Sequence, residues 1–133
     1  MIDRITFSLP FALPSLNVRD RRHWRQHVKD KRAMYLEVLA ATGGTRYLPA
    51  EPFERARVTV TRHSAGSLDP DSEGACCKSL LDVLCVPSRV HPAALGIIRD
   101  DSARHLELIV RQAPAKRGHG STLVTIERLE GIR

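Results

Sequence analysis

The run Ala56-Arg57-Val58-Thr59-Val60-Thr61 sets three apolar side chains on one side of an extended chain and three polar ones on the other. This period-two pattern is that of a β-strand buried on one face only. Such a strand needs a covering layer, and the residues after it supply one. Residues 64–71 (SAGSLDPD) read as loop, and a helix is predicted from near Ser72 to about Cys85, stopped by Pro87. At about 100° per residue, Cys76, Cys77, Leu80, Leu81, Val83 and Leu84 share one broad face, while Gly74, Lys78 and Asp82 lie on the other. The apolar face belongs to the core.

Upstream, Arg4–Leu9 alternates weakly and stops at Pro10, which predicts a short strand. Pro10 and Pro14 keep the following stretch extended or turning, and Asn17 suits a helix cap. From about Val18 to Ala41 no Gly or Pro interrupts, and Trp24, Val28, Tyr35, Val38 and Leu39 fall near helical spacing. Gly43-Gly44 ends this long amphipathic helix. Downstream, Leu95-Gly96-Ile97-Ile98 reads as a short strand running into Arg99-Asp100-Asp101. Leu106, Leu108 and Val110 alternate with Glu107, Ile109 and Arg111. Leu123, Val124 and Ile126 follow a basic, Gly-rich turn at 114–120, so these last two strands are expected to pair antiparallel. The expected fold is α/β: one domain over residues 1–133 in which a small mixed β-sheet packs its inner face on two α-helices.

The chain has 133 residues, 42% hydrophobic and 27% charged, which suits one domain and excludes a multidomain machine. No run approaches the roughly 20 apolar residues of a membrane helix, and Met1-Ile2-Asp3-Arg4 does not open like a secretory signal. Three cysteines, two of them adjacent, exclude a disulfide framework and fit a reducing compartment, so a soluble cytoplasmic protein is expected. The net charge is +6, and residues 19–32 carry seven basic side chains against Asp20 and Asp30, a local net of +5. So concentrated a charge points to a polyanion.

The constellation that carries chemistry is Asp69-Pro70-Asp71, then Lys78 and Asp82, then Asp100-Asp101. In extended chain, residues two apart point to one side, so Asp69 and Asp71 can converge on a cation. Carboxylate oxygens suit Mg²⁺ or Mn²⁺ better than zinc. Lys78 lies on nearly the same helical face as Asp71, Asp82 is one turn further along it, and Asp100-Asp101 could complete the ligand set. A cation beside carboxylates can hold a phosphate, stabilise a pentacovalent transition state or orient the attacking water. This is the inventory of metal-assisted phosphodiester hydrolysis. The same residues also suit ordinary capping by Asp71 or Ser72 and turn formation by Asp100-Asp101. Cys76, Cys77 and Cys85 with His63 or His91 do not fit zinc spacings, no Gly-rich phosphate loop occurs, His23 and His27 suit a phosphate-facing or solvated role, and Trp24 heads an apolar stripe.

Taken together, these residues resemble the RusA family of Holliday junction resolvases over about residues 5–128. The resemblance rests on a short strand leading into Pro14-Ser15-Leu16-Asn17 and a basic helix, then Asp69-Pro70-Asp71-Ser72, Lys78 with Asp82 four residues later, and Asp100-Asp101-Ser102. Ser72 stands where the family usually has Asn, and Lys78 follows Asp71 by seven positions where some members use four. The resemblance implies a Mg²⁺-dependent endonuclease, with Mn²⁺ as a possible substitute, that acts as a homodimer and nicks four-way DNA junctions in pairs. It implies Asp69, Asp71 and Asp101 as metal ligands with Asp100 auxiliary, Lys78 at the scissile phosphate or the water, and a bacterial or phage-encoded protein. No membrane and no small-molecule cofactor is expected. Asn17, Arg19, Arg21, Arg22, Arg25, Lys29 and Arg32 would grip the DNA, with a steep salt dependence. The alternatives are a non-catalytic DNA-binding protein of the same fold and a nuclease for flaps, other branched DNA or RNA.

Overall fold

Ile5, Phe7 and Leu9 alternate with Arg4, Thr6 and Ser8, and the first three are buried while the second three are exposed. They form strand β1, Arg4–Leu9, the first element of a computed structural model that describes residues 2–14, 24–66 and 76–129, with backbone alone for 24–28. Helix α1, Trp24–Ala41, follows, and then strand β2, Ala56–Ser64, helix α2, Lys78–Leu84, strand β3, Leu106–Pro114, and strand β4, Ser121–Arg128. The four strands make one sheet in the order β1-β4-β2-β3. Strands β2 and β3 run parallel, and β4 is antiparallel to both β1 and β2. Ile5, Phe7, Val58, Val60, Val124 and Ile126 from the sheet meet Met34 and Val38 of α1 and Leu80, Leu81 and Leu84 of α2 in a single core. The α/β architecture read from the sequence is therefore the one observed: a mixed sheet with two helices on one face.

Three local expectations are corrected. Strands β3 and β4 do not pair; β4 lies between β1 and β2, and β3 is an edge strand beside β2. Burial explains the order, because Thr122, Val124 and Ile126 of β4 are fully buried whereas β3 buries only Leu106 below the surface. A strand with Glu107, Arg111 and Gln112 along it tolerates an edge; charged side chains there blunt unwanted pairing. Leu95–Ile98 is not a strand but a loop that makes one parallel bridge, Ile98 with Phe53. Its amides are spent on α2 instead. Leu95 N–H donates to Val83 O at 2.7 Å, Gly96 N–H to Cys85 O at 2.9 Å, and Ile97 and Ile98 N–H to Leu84 O at 2.9 and 3.0 Å. The loop thus satisfies carbonyls that a helix end leaves without partners. Finally, regular helix in α2 starts at Lys78 with Cys76 and Cys77 in the turn before it, and residues 72–75 lie outside the described set.

The long helix ends as its sequence implies. Gly44 N–H donates to Leu39 O and Gly43 N–H to Ala40 O, with Gly43 at φ +85°, a left-handed terminus that glycine enters without strain. At the opposite end of the sheet, Thr122 is fully buried; its hydroxyl donates to Phe11 O at 2.8 Å and accepts Leu13 N–H at 3.2 Å. The loop after β1 is thereby pinned to the start of β4. Gly120 allows the approach, since a Cβ there would sit 3.2 Å from Ala12 Cβ and 3.3 Å from its amide nitrogen.

Candidate functional site

Helix α2 presents Lys78 and Asp82 one turn apart, on the side away from Leu80, Leu81 and Leu84. That side is not free surface, because α1 packs across it and Asp82 is only 6% exposed. A buried carboxylate needs compensating cations and hydrogen bonds. Asp82 has two: Lys78 Nζ stands 3.4 Å from Oδ1, and Lys31 Nζ of α1 stands 3.3 Å from Oδ2. Lys31 was not singled out by the sequence reading. It lies inside the basic run, where nothing distinguishes it from its neighbours, and only the crossing of the two helices brings it to Asp82.

Lys78 also reaches Asp101 Oδ2, at 3.2 Å. The turn that carries Asp101 is held at both ends. Phe53, 1% exposed, fixes the entry through Phe53 N–H to Ile97 O and Arg99 N–H to Phe53 O. Glu54 adds an ion pair from Arg99 at 3.1 Å, and His105 Nδ1 contacts Glu54 O at 2.8 Å. Asp100 Oδ1 accepts the Ser102 N–H at 3.3 Å, so one of its oxygens does turn-forming work. Asp101 is the member of the pair that faces Lys78, a contact its sequence position does not foretell.

The electrostatics follow from this arrangement. Burial alone would raise the Asp101 carboxyl, but the hydrogen bond and charge of Lys78 outweigh it and hold the group below its ordinary value. Burial likewise would lower the Lys78 ammonium, and the carboxylates of Asp101 and Asp82 outweigh it and raise it. Asp101 therefore contributes stability that is present above its unfolded value near pH 4 and lost as pH falls through the depressed folded value. Lys78 contributes stability that is present below about pH 10 and lost as pH rises through its raised folded value. The bridge is intact across the neutral range. Cys85, half-buried nearby, is pushed up to about 12 by burial first and by the charges of Asp101, Asp82 and Asp100 next, so it stays a thiol. Cys77 is raised by its hydrogen bond to Cys76 and by burial, which leaves the adjacent pair as inert core thiols.

Beyond Asp82 the chain of contacts continues. Lys31 Nζ lies 2.9 Å from His91 Nδ1. An ammonium can only donate, so this contact takes the imidazole tautomer whose Nδ1 accepts. The His91 segment is itself closed by Ser88 N–H to His91 O and His91 N–H to Ser88 Oγ, each 3.0 Å. Asp101, Lys78, Asp82, Lys31 and His91 thus form one continuous polar array across α2, α1 and two loops.

Of the expected site residues, the structure brings together Lys78 and Asp101 with Asp100 beside them. Asp69, Asp71 and Ser72 lie outside the described residues, as do Asn17, Arg19, Arg21, Arg22 and the side chain of Arg25. Lys29 and Arg32 are exposed on α1. Among the described residues no three His, Cys, Asp or Glu side chains stand close enough to hold a metal ion. Asp101 has one oxygen on Lys78 and keeps the other as an oxygen donor of the kind that suits Mg²⁺, while the further ligands expected for that ion, Asp69 and Asp71, are outside the described residues.

Sequence reasoning also missed Arg62. Its Nε donates to Leu13 O at 2.8 Å and its Nη1 to Gly66 O at 2.9 Å. One guanidinium therefore ties the chain just before residues 15–23 to the chain just before residues 67–75. Those two stretches hold Arg19, Arg21 and Arg22 and the Asp69-Pro70-Asp71 motif respectively. Among the described residues no helix is long and apolar enough to cross a membrane. Comparison with protein-family models gives no match, and no curated protein matches the sequence.

Proposed function

We propose that the protein is a Mg²⁺-dependent endonuclease that nicks four-way DNA junctions in pairs as a homodimer. The observation that carries the reading is the meeting of Lys78 and Asp101, 23 residues apart in the chain, at 3.2 Å over a buried Asp82. The order and most spacings along the chain agree with the RusA resemblance, apart from the seven positions between Asp71 and Lys78, and no purely turn-forming role for Asp101 requires that contact. Asp69, Asp71 and Asp101 would hold the metal, with Asp100 auxiliary and Mn²⁺ a workable substitute. When bound, Mg²⁺ supplies charge neutralisation at the phosphate and an acidified water.

The chain's own residues supply the rest. Asp82, fixed between two ammonium groups, holds Lys78 at the edge of the carboxylate set, where its one remaining N–H bond can reach a phosphate oxygen or the attacking water. Arg19, Arg21, Arg22, Arg25, Lys29 and Arg32, with Asn17, would meet the backbone phosphates, so affinity falls steeply with salt. A two-fold dimer presents two such sites to a two-fold junction, which accounts for paired cuts. Three free cysteines are compatible with a reducing cytoplasm, in a bacterial cell or one infected by a phage.

The test is incubation with a labelled four-way junction in Mg²⁺ and in EDTA, with Asp71→Asn alongside. Paired nicks that need both the metal and Asp71, with junction binding retained in the variant, are expected. An Asp71→Asn protein that cuts at the wild-type rate overturns the metal role. Salt-sensitive binding without cutting in Mg²⁺ or Mn²⁺ replaces the reading with that of a DNA-binding protein of the same fold.

A further inference from the structure

Next to the polar array, α1, α2 and the loop after α2 enclose a cleft of about 240 Å³. Its volume lies below the roughly 300 to 1,000 Å³ of sites for whole drug-sized ligands, so it suits a single ring system. Val83, Val90, Pro92 and Ala93 give it apolar walls, and Lys31, Arg32, His91 and Asp82 supply its polar groups. Val90 stands at the mouth, 79% exposed. Lys31 and Asp82 are already committed to each other, and Lys31 also to His91. Arg32 is exposed and makes no ion pair among the described residues, so it is the cation available to an incoming anion.

We infer that this cleft receives one unpaired nucleotide of the DNA strand, its base against Val90, Pro92 and Ala93 and its phosphate at the Arg32 guanidinium. An unstacked base has two apolar faces and a charged tether, and the cleft matches both. An imidazole is also flat enough to stack on a base, which His91 can provide at the rim. The loop that carries Val90 and His91 is held closed by its own Ser88–His91 hydrogen bonds, so little ordering is needed on binding. The cleft shares Asp82 with the Lys78–Asp101 pair, which places an unpaired nucleotide beside the site of cutting. Branch points offer such nucleotides and continuous duplex does not. The inference rests on the DNA-binding part of the reading above and names the strand feature that the site selects.

The experiment measures binding, in EDTA, of a short fluorescein-labelled oligothymidylate and of a duplex of equal length. Wild type is compared with Ala93→Leu, which fills the cleft, and Val90→Ser, which strips a wall; neither changes charge. Loss of about 40 Å² of apolar contact is worth about 1 kcal/mol, so oligothymidylate affinity should fall about five-fold in both variants, with duplex affinity within about two-fold of wild type. Val90 is exposed, so its variant tests the cleft even if Ala93→Leu fails to fold. Equal losses for both DNAs, or none for the oligothymidylate, overturn the inference, as does a wild type that binds no DNA. Cleft variants that behave as expected in a protein that never cuts in Mg²⁺ remove the nuclease reading and leave the nucleotide site standing. Cutting with no effect of either variant on single-strand binding does the reverse.

Discussion

Replacing both Lys31 and Lys78 by methionine keeps most of the apolar stems and removes both cations from Asp82. Each ammonium stands 3.3 to 3.4 Å from its own carboxylate oxygen, and the Asp82 side chain is 7% exposed while the lysines are 32% and 48% exposed. At an effective dielectric near 20 each pair attracts by about 5 kcal/mol, most of which is offset by desolvation and lost lysine entropy. Either single variant leaves Asp82 one cation, and should cost about 1 kcal/mol. The double variant strands a buried carboxylate, for which removal of partners costs about 3 to 5 kcal/mol, so the pair should exceed the sum of the singles by 1 kcal/mol or more. Urea unfolding monitored by circular dichroism reads this directly; with a slope near 2 kcal/mol/M the double variant's midpoint falls by roughly 1.5 to 2.5 M. A double variant whose loss equals the sum of the singles, or stays under about 2 kcal/mol, would show that Asp82 finds water or another donor.

Arg62→Met removes the hydrogen bonds to Leu13 O and Gly66 O; a loss of about 2 kcal/mol in urea unfolding is expected, together with weaker junction cutting in Mg²⁺. Full activity in a normally folded variant would detach that guanidinium from function. Gly43→Ala places a side chain at φ +85° with its Cβ 3.0 Å from the Tyr47 ring, and the melting temperature should drop by an amount equivalent to about 1 to 2 kcal/mol. An unchanged melting point would mean that the helix terminus relaxes out of the left-handed region. Reversing the charges of Arg21 and Arg22 should weaken junction binding and flatten the plot of log affinity against log salt; an unaltered slope takes that segment off the DNA.

The period of the side-chain pattern was enough to identify β1, β2 and the apolar side of α2, because a buried strand face and a buried helix face leave different repeats. Pairing left no comparable mark. Leu106–Val110 and Leu123–Ile126 are adjacent in sequence and both alternate, so a hairpin was the simplest reading; what separates them is depth, and Thr122 hides its depth by being polar. Leu95–Ile98 carried strand-like composition, yet its amides face the carbonyl end of α2, a tertiary demand with no local signature. In the site, Lys78 and Asp82 were legible through their spacing of four. Lys31 and Arg62 were not, since each is one basic residue among many until the fold gives it a carboxylate or two carbonyls to meet.

The place of β4 governs when this molecule can exist at all. Every sheet contact of β1 is with β4, from Arg4 with Glu127 to Leu9 with Thr122, so the first strand waits for nearly the whole chain before it has a neighbour. A ribosome releasing the chain in order exposes the charged stretch 19–32 early and the strand that closes the sheet late. Contacts so distant in sequence also slow folding, since the chain must search before they reward it. A prematurely ended product therefore leaves β1 unpaired and Ile5, Phe7 and Leu9 uncovered, a substrate for proteases in place of a half-built sheet.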